Sequence, residues 1–288
     1  SDLQIELACL KAQYPAIMMP IEDDDVLAGR IQMGLVGMGI QGQTGGTGYY
    51  IDEPRVTQAL EQQSGDAKYR EDLHDLLTFW KGHCTYNIVL EETPEEIRRV
   101  IPTEQWKTQP VPASPIIRMA GAYVNYDHLL QVGICGLEDE IRSARKTAQE
   151  QERDVVIYDC MLGALEVLKD VCRHYQAQAS ELAQNAATPQ RRREMQDLAA
   201  ALEQITKRAP QSMLEAIQLA WLYSMMAQLI EFGRMDVYLG DFYCHDIDNG
   251  IITEAQALRM VQSFYRLVDH LDCDTDGRVI VGGYGRRN

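Results

Sequence analysis

The stretch PQSMLEAIQLAWLYSMMAQLIEF, residues 210–232, is apolar on nearly every side when it is placed on a helix. A helix of this kind is stable in water only where other elements cover it all round. No apolar run of the chain approaches the ~20 residues that a membrane-spanning helix needs. We therefore expect a buried helix opened by Pro210, and no membrane-spanning segment.

Helical periodicity also runs through the neighbouring segments. Residues 154–183 and 191–208 carry apolar side chains at helical spacing. Thr253 and Gln256 form a capping-box pattern at the start of TEAQALRMVQSFYRLVDHL, after the turn DNG. One face of that last helix carries Leu258, Val261, Tyr265 and Val268.

Two stretches, residues 30–38 and 278–282, predict β-strands because each is β-branched or apolar and bounded by glycine. The expected fold class is α/β but predominantly helical. The expected organisation is an N-terminal helical and strand portion over residues 1–102 and an extended linker over 103–120. Residues 121–288 then form a helical array that ends in a strand.

The net charge of −16 argues against a nucleic-acid-binding surface, because such surfaces need clustered Lys and Arg. The dense basic run at residues 191–193 predicts a solvated helix face. The 7 cysteines are odd in number and contain no CxxC pair, which favours reduced thiols over a disulfide framework. Since the N-terminus also lacks a signal-peptide pattern, we expect a cytoplasmic protein.

The sequence GMGIQG places Gly37, Gly39 and Gly42 in the GxGxxG spacing of dinucleotide-binding folds. In those folds the third glycine enters a helix whose N-terminus faces the pyrophosphate. Here QTGGTGYY follows, which is a poor helix start. We interpret the stretch as a glycine-rich loop.

Two acidic patterns resemble metal sites. DCDTDG at residues 272–277 matches the first half of a calcium loop, but the twelfth position is Gly283, where a bidentate glutamate is required. We interpret it as an acidic turn between a helix and a strand. CHDID at residues 244–248 would point its side chains in different directions on a helix. It predicts a helix end with capping carboxylates.

The order of the segments is more informative than any of these patterns. EFGRMDVYLGDFYCHDIDNGIITEAQALRMVQSFYRLVDHL resembles the glycyl radical enzymes, the superfamily of pyruvate formate-lyase and glycerol dehydratase. It carries Gly-Arg-Met-Asp at 233–236, an acidic-Ile-x-x-Gly turn at 246–250 and a Thr-led helix, with Ala255 where the family has glutamate. EDDDVLAGR, YDCMLGALEVLKDVCRHYQAQASELA and RAPQSMLEAIQLAW resemble further family segments in the same order.

This resemblance implies the N-terminal portion of a ten-stranded α/β barrel wrapped in helices. In the family, a glycyl radical in a C-terminal loop oxidises a cysteine on a second loop. The thiyl radical then abstracts hydrogen from the substrate, or attacks it as in pyruvate cleavage. An S-adenosylmethionine iron–sulfur activase installs the oxygen-sensitive radical. The implied partners are therefore a small-molecule substrate, the radical-SAM activating enzyme and the C-terminal portion of the enzyme, with a homodimer left open.

In the family order, both the cysteine loop and the radical glycine lie beyond residue 288. We therefore expect this chain to bind no cofactor itself, to contain no catalytic residue or metal ligand, and to be inactive alone. The ending VIVGGYG resembles the radical motif Arg-Val-x-Gly-Tyr/Phe, but too many residues separate Val279 from Gly283. It aligns instead with a mid-chain strand and loop, so Gly283 is not expected to carry the radical.

The resemblance also implies where the substrate is contacted. Family members carry His or Arg a few residues before Asp-Tyr; here Gly121 occupies that position, Asn125 replaces the aspartate and Tyr126 matches the tyrosine. Without the cation, pyruvate is disfavoured, because its carboxylate needs a cationic partner. Arg118 or Arg278 are the candidates to replace it. The predicted pocket residues are Gly121, Tyr123, Asn125, Asp276 and Arg278.

Other residues of these segments are assigned to structure. Arg234 and Asp236 are expected to form a charge pair at a helix entry. Cys135 is expected at the start of a helix that runs on from YDHLLQVG.

A second hypothesis is a non-catalytic helical scaffold or regulatory module that binds a partner protein through an exposed apolar face. The two hypotheses differ in one structural expectation. Part of a barrel leaves a strand edge and an apolar patch uncovered, whereas a stand-alone module hides both.

Overall fold

Helices make up most of the chain. The computed structural model describes residues 1–40, 47–62, 67–100, 124–227, 231–271 and 278–282. The helices are α1 (Asp2–Ile17), α2 (Glu53–Gln62), α3 (Ala67–His83), α4 (Thr85–Glu92), α5 (Glu95–Val100), α6 (Tyr126–Glu150), α7 (Val156–Gln184), α8 (Pro189–Ile205), α9 (Met213–Ala227), α10 (Met235–Tyr238), α11 (Gly240–Asp248) and α12 (Glu254–His270). The strands are β1 (Val36–Ile40), β2 (Thr47–Ile51), β3 (Glu231–Arg234) and β4 (Arg278–Ile280). The predominantly helical character is confirmed, and none of these helices is long and apolar enough to cross a bilayer.

The described residues group into two compact units. One contains residues 1–31 and the described parts of 122–271 and 276–288; the other contains the described parts of 32–121. The sequence grouped residues 1–31 with those that follow. In the structure they pack with the long helices, whose side chains bond to their backbone. The predicted linker over residues 103–120 lies outside the described residues.

The smaller unit is built on an antiparallel hairpin of β1 and β2. Val36 lies opposite Ile51, and Ile40 lies opposite Thr47. Helices α3 and α4 pack on β2. The buried core of this unit consists of Ile51, Val56, Leu73 and Cys84.

The glycine-rich stretch of this unit forms a strand. Gly37 pairs with Tyr50 and Gly39 pairs with Gly48, so the expectation of a loop is wrong at these two glycines. Gly42 lies outside the described residues. The strand predicted over residues 30–38 also begins later, at Val36.

In the larger unit, α7 packs along α1 and α8. Helices α7 and α8 confirm the helices predicted from periodicity over residues 154–183 and 191–208. The basic run differs from its prediction at one residue. Arg191 is half-buried, and its guanidinium donates to the carbonyls of Glu22 and Asp25, whereas Arg192 and Arg193 are exposed as expected.

Helix α9 is buried nearly throughout, which confirms the prediction for this apolar stretch. The Trp221 ring lies 5.6 Å from that of Phe264 and 6.0 Å from that of Phe232. The helix is shorter than predicted, because it ends at Ala227 and Phe232 belongs to β3. Phe232 still reaches the aromatic core while the backbone of its strand pairs with β4.

Helix α12 begins with the predicted capping box, since Thr253 and Gln256 each accept a hydrogen bond from the other's backbone N–H. Its core face carries Ala257, Met260, Phe264 and Leu267. The apolar face predicted from the sequence is a different face of the same helix, and it is only partly covered. Leu258 is 57% exposed and Tyr265 is 45% exposed.

An irregular segment, residues 26–30, runs through the core of the larger unit. Ser263 of α12 accepts hydrogen bonds from its first two amides, at 3.1 and 3.3 Å. Gln218 of α9 bonds to both sides of Ala28, accepting from the N–H at 2.8 Å and donating to the carbonyl at 2.9 Å. These side chains do for the segment what a neighbouring strand does in a sheet.

The second half of the segment is bonded in the same way. Trp221 Nε1 donates to the carbonyl of Gly29 at 3.1 Å, and the Tyr175 hydroxyl donates to the carbonyl of Arg30 at 2.7 Å. Gly29 has φ +118°, and a Cβ there would lie 2.4 Å from Trp221 Nε1. Only glycine fits this position, on grounds of both backbone conformation and space.

We expect the substitution Gly29→Ala to lower the free energy of unfolding by about 3 kcal/mol, because it adds backbone strain to an overpacked contact. Urea denaturation measures this. Gly240→Ala is the matched control in the same unit: no atom lies within 4 Å of its added Cβ, so we expect little change. Unfolding of Gly29→Ala at the wild-type urea midpoint would contradict the prediction.

Candidate functional site

The structure describes two of the predicted pocket residues, Asn125 and Arg278. Gly121, Tyr123 and Asp276 lie outside the described residues. The alternative cation Arg118 lies outside them as well.

Asn125 is the N-cap of α6. Its side-chain oxygen accepts a hydrogen bond from the His128 N–H at 3.1 Å. Asparagine is among the favoured residues at this position, because its oxygen satisfies one of the free amides of the first helical turn. Asn125 therefore has a structural role here, whatever else it contacts.

The next residue, Tyr126, joins the start of α6 to strand β3. Its hydroxyl lies 2.7 Å from Ser224 Oγ of α9 and donates to the carbonyl of Glu231 at 3.2 Å. Burial raises the pKa of Tyr126 to about 12, so the hydroxyl stays neutral at physiological pH and is no general base there. Glu231 is in turn the residue of β3 that pairs with Arg278 of β4.

Two regions predicted separately from the sequence therefore lie at one place. The site is the parallel pair of β3 and β4 together with the start of α6. Tyr126, which follows Asn125, donates a hydrogen bond to Glu231, and Glu231 pairs with Arg278 in the strands.

Tyr238, which none of the sequence patterns singled out, stacks its ring on that of Tyr126 with centroids 4.5 Å apart. Tyr238 is only 7% exposed, and its hydroxyl has no hydrogen-bond partner among the residues that the structure describes. Burial raises its pKa far above the ordinary value of 10.0, so it is a neutral donor. The aromatic residue two positions after Asp236 was the available signal, since it follows the Gly-Arg-Met-Asp sequence directly.

The predicted pair of Arg234 and Asp236 is present beside the strands. Arg234 donates to both carboxylate oxygens of Asp236, each at 2.8 Å. The bond to Arg234 is the main cause that lowers the pKa of Asp236 from 3.8 to about 2. The stabilisation is therefore present at neutral pH and is lost only as the pH falls through about 2.

The acidic pattern at 244–248 forms the end of α11, as predicted. Asp246 is completely buried, and its carboxylate accepts a hydrogen bond from the Met213 N–H at 2.8 Å, at the start of α9. Within the described ranges no three His, Cys, Asp or Glu side chains are grouped to hold a metal ion. The calcium-loop pattern at 272–277 falls outside them.

Cys135 lies on α6 just after a kink at Gly133, and its thiol donates to the carbonyl of Thr206 at 3.3 Å. A thiol engaged in this way supports the structural role expected of it. The described cysteines, which exclude Cys273, are free thiols.

A family model described as pyruvate formate lyase-like matches residues 8–272. The chain belongs to this family. One relative of this pyruvate formate lyase-like chain is the (2S)-3-sulfopropanediol dehydratase of Klebsiella oxytoca, which is 26% identical to it over 227 residues. The match covers 72% of this chain and 27% of that protein. The isethionate sulfite-lyase of Oleidesulfovibrio alaskensis is 24% identical over 217 residues, 69% of this chain and 26% of that protein.

Solved structures of glycyl radical enzymes have a similar fold. The glycerol-bound B12-independent glycerol dehydratase from Clostridium butyricum matches with a TM-score of 0.72 and 17% identity, over 96% of this chain and 38% of that one. A glycyl radical enzyme from Archaeoglobus fulgidus matches with a TM-score of 0.69 and 18% identity, over 96% and 35%. This pyruvate formate lyase-like chain spans about a quarter of the length of the curated relatives named above.

The two stacked tyrosines should respond differently to loss of the hydroxyl. We expect Tyr126→Phe to lower the free energy of unfolding by about 1–3 kcal/mol, because it removes two hydrogen bonds from buried groups. Tyr238→Phe should leave it unchanged or raise it, since that buried hydroxyl has no partner to lose within the described part of the chain. Parallel thermal and urea denaturation compares them, and equal losses in the two variants would contradict the prediction.

Proposed function

We propose that the chain supplies the N-terminal part of a glycyl radical enzyme that cleaves a C–C or C–X bond in a small molecule. Membership of the pyruvate formate lyase-like family supports this proposal. The relatives named dehydratase and sulfite-lyase favour elimination or lyase chemistry.

The observation that carries the proposal is the parallel pair of β3 and β4. Parallel strands normally lie in larger sheets that are covered on both faces. This pair is short. Ile280, the last residue of β4, is 49% exposed, and Val281, the residue after it, is 68% exposed. Such an uncovered apolar strand is what part of a barrel should present, and what a stand-alone scaffold module should hide.

In the proposed enzyme, this chain builds one wall of the substrate pocket. The bonds of Tyr126 hold the start of α6 against β3. The start of α6 and strand β4 would then contribute to the substrate pocket. The remainder of the enzyme would complete the ten-stranded barrel and supply the cysteine and the radical glycine, so the chain alone would be inactive.

The proposed substrate class excludes pyruvate. Gly121 offers no cation where a carboxylate would be recognised in pyruvate cleavage. Arg278 of β4 or Arg118 would then contact any negatively charged group of the substrate.

The proposal is tested by assembling this chain with the remainder of a glycyl radical enzyme under anaerobic conditions. Treatment with the radical-SAM activase and S-adenosylmethionine should produce a glycyl radical signal in electron paramagnetic resonance. The chain alone should give no such signal, because it lacks the radical loop in the family order. Turnover is then assayed with (2S)-3-sulfopropanediol, isethionate, glycerol and pyruvate, and no turnover of pyruvate is expected.

Gly283→Ala is the matched control. Because Gly283 is not the radical carrier, the assembled variant should give the same signal as the wild type. A radical that forms on the isolated chain and disappears in Gly283→Ala would overturn the proposal. A folded assembly that gives no radical would favour the alternative, a non-catalytic scaffold or regulatory module.

Replacing the candidate cations tests the substrate contact. In the assembled enzyme we expect Arg278→Gln or Arg118→Gln to raise the KM for an anionic substrate by about tenfold or more, since a charge-assisted hydrogen bond is lost. Arg259→Gln on α12, which removes an ion pair with Glu194, is the charge-matched control. Unchanged KM values in both test variants would rule out these contacts.

A further inference from the structure

One carboxylate joins the end of β4 to α10, the short helix that follows β3. Besides the two bonds from Arg234, Asp236 Oδ2 accepts a hydrogen bond from the backbone N–H of Gly282 at 2.9 Å. The same oxygen therefore receives a side-chain donor from β3 and a main-chain donor from the residue just beyond β4. We call these three residues, Arg234, Asp236 and Gly282, the carboxylate clamp.

The backbone at Gly282 explains why the clamp sits at this position. Gly282 has φ +73°, in the left-handed region that favours glycine. No heavy atom of the described residues lies within 4 Å of a Cβ added there, so the requirement for glycine comes from the backbone and not from crowding. The bond to Asp236 fixes the orientation of the Gly282 amide.

Strand β4 has little else to hold it. It spans only Arg278–Ile280, and its partners on β3 are Glu231 and Arg234, with an irregularity between them. Two pairings separated by an irregularity define the position along a neighbouring strand only weakly. A charge-assisted bond at the far end of β4 is therefore a substantial part of what sets its position.

We propose that Asp236 is a positioning residue of the substrate site, and that it sets the position of β4, and with it Arg278, through the amide of Gly282. This proposal rests on the proposed function, because Arg278 matters to catalysis only if β4 lines a substrate pocket. Arg234 serves the clamp by holding the carboxylate charged and correctly oriented.

The first test uses this chain alone and reads the amide of Gly282 by hydrogen exchange. Asp236→Asn keeps the size of the side chain but removes its charge, and we expect exchange at Gly282 and Ile280 to become at least about tenfold faster, as for loss of a charge-assisted bond. Amides of α9 should keep their protection. Asp248→Asn, which removes an exposed carboxylate at the end of α11, is the control and should change neither.

A pH titration separates the clamp from a general structural role. In the wild type, the amide chemical shift of Gly282 should follow the carboxylate, whose pKa the clamp lowers to about 2. In Arg234→Gln the midpoint should move upward towards 3.8, the ordinary value of an aspartate. If the midpoint does not move, or if exchange at Gly282 is unchanged in Asp236→Asn, the clamp does not exist and the proposal is overturned.

The closing experiment uses the assembled enzyme with isethionate, (2S)-3-sulfopropanediol and glycerol as probes. Asp236→Asn should raise KM and leave the yield of glycyl radical unchanged. When Asp236→Asn is added to Arg278→Gln, KM should rise little further, because both substitutions act through the same contact with the substrate. A wild-type KM in Asp236→Asn, or fully additive losses, would overturn the positioning role. An assembled wild type that gives no radical means instead that the proposed function has failed, while the exchange and titration results still decide whether the clamp exists.

Discussion

The larger unit depends on the burial of an irregular segment that belongs to none of the described strands. Residues 26–30 carry a row of backbone donors and acceptors into the core, where each unpaired group would cost about 1–3 kcal/mol. Side chains of α7, α9 and α12 satisfy them: Tyr175, Gln218, Trp221 and Ser263. Because each of these helices contributes a bond to the same segment, the segment fixes how the helices are arranged around it. This explains why residues 1–31 belong with the long helices and not with the hairpin that follows them.

The candidate site follows from that arrangement. Helix α9 lies at the centre, and its Ser224 meets the hydroxyl of Tyr126 at the start of α6. The strand that follows α9 receives the second bond of the same hydroxyl. Two regions about 150 residues apart along the chain, 125–126 and 278–282, meet at this strand, as distant segments do in any packed barrel or sheet. The chemistry available among the described residues of the site is positioning and charge, because Tyr126 and Tyr238 both stay neutral.

Two apolar stretches of the described surface are uncovered. Exposed Ile280 and Val281 continue a parallel strand pair, and a second apolar face of α12 carries Leu258 and Tyr265. Large exposed apolar patches on a monomer usually mark surfaces that pack against something else. Both stretches are therefore surfaces at which the chain is expected to pack against another segment or molecule.

The sequence alone determined the long helices from residue 154 onward, the capping box at Thr253, the buried character of α9, the pair of Arg234 and Asp236 and the family. These depend on local spacing or on colinear segments. It failed where long-range contacts decide the outcome. Gly39 lies in a strand because Gly48 of β2 pairs with it, and residues 231–234 form a strand instead of continuing the helix because Glu231 and Arg234 pair with β4. No local pattern reveals that Tyr238 stacks on Tyr126, or that Asp236 reaches the amide of Gly282. Only the tertiary structure decides these contacts, since each joins residues whose separation along the chain carries no periodic signal.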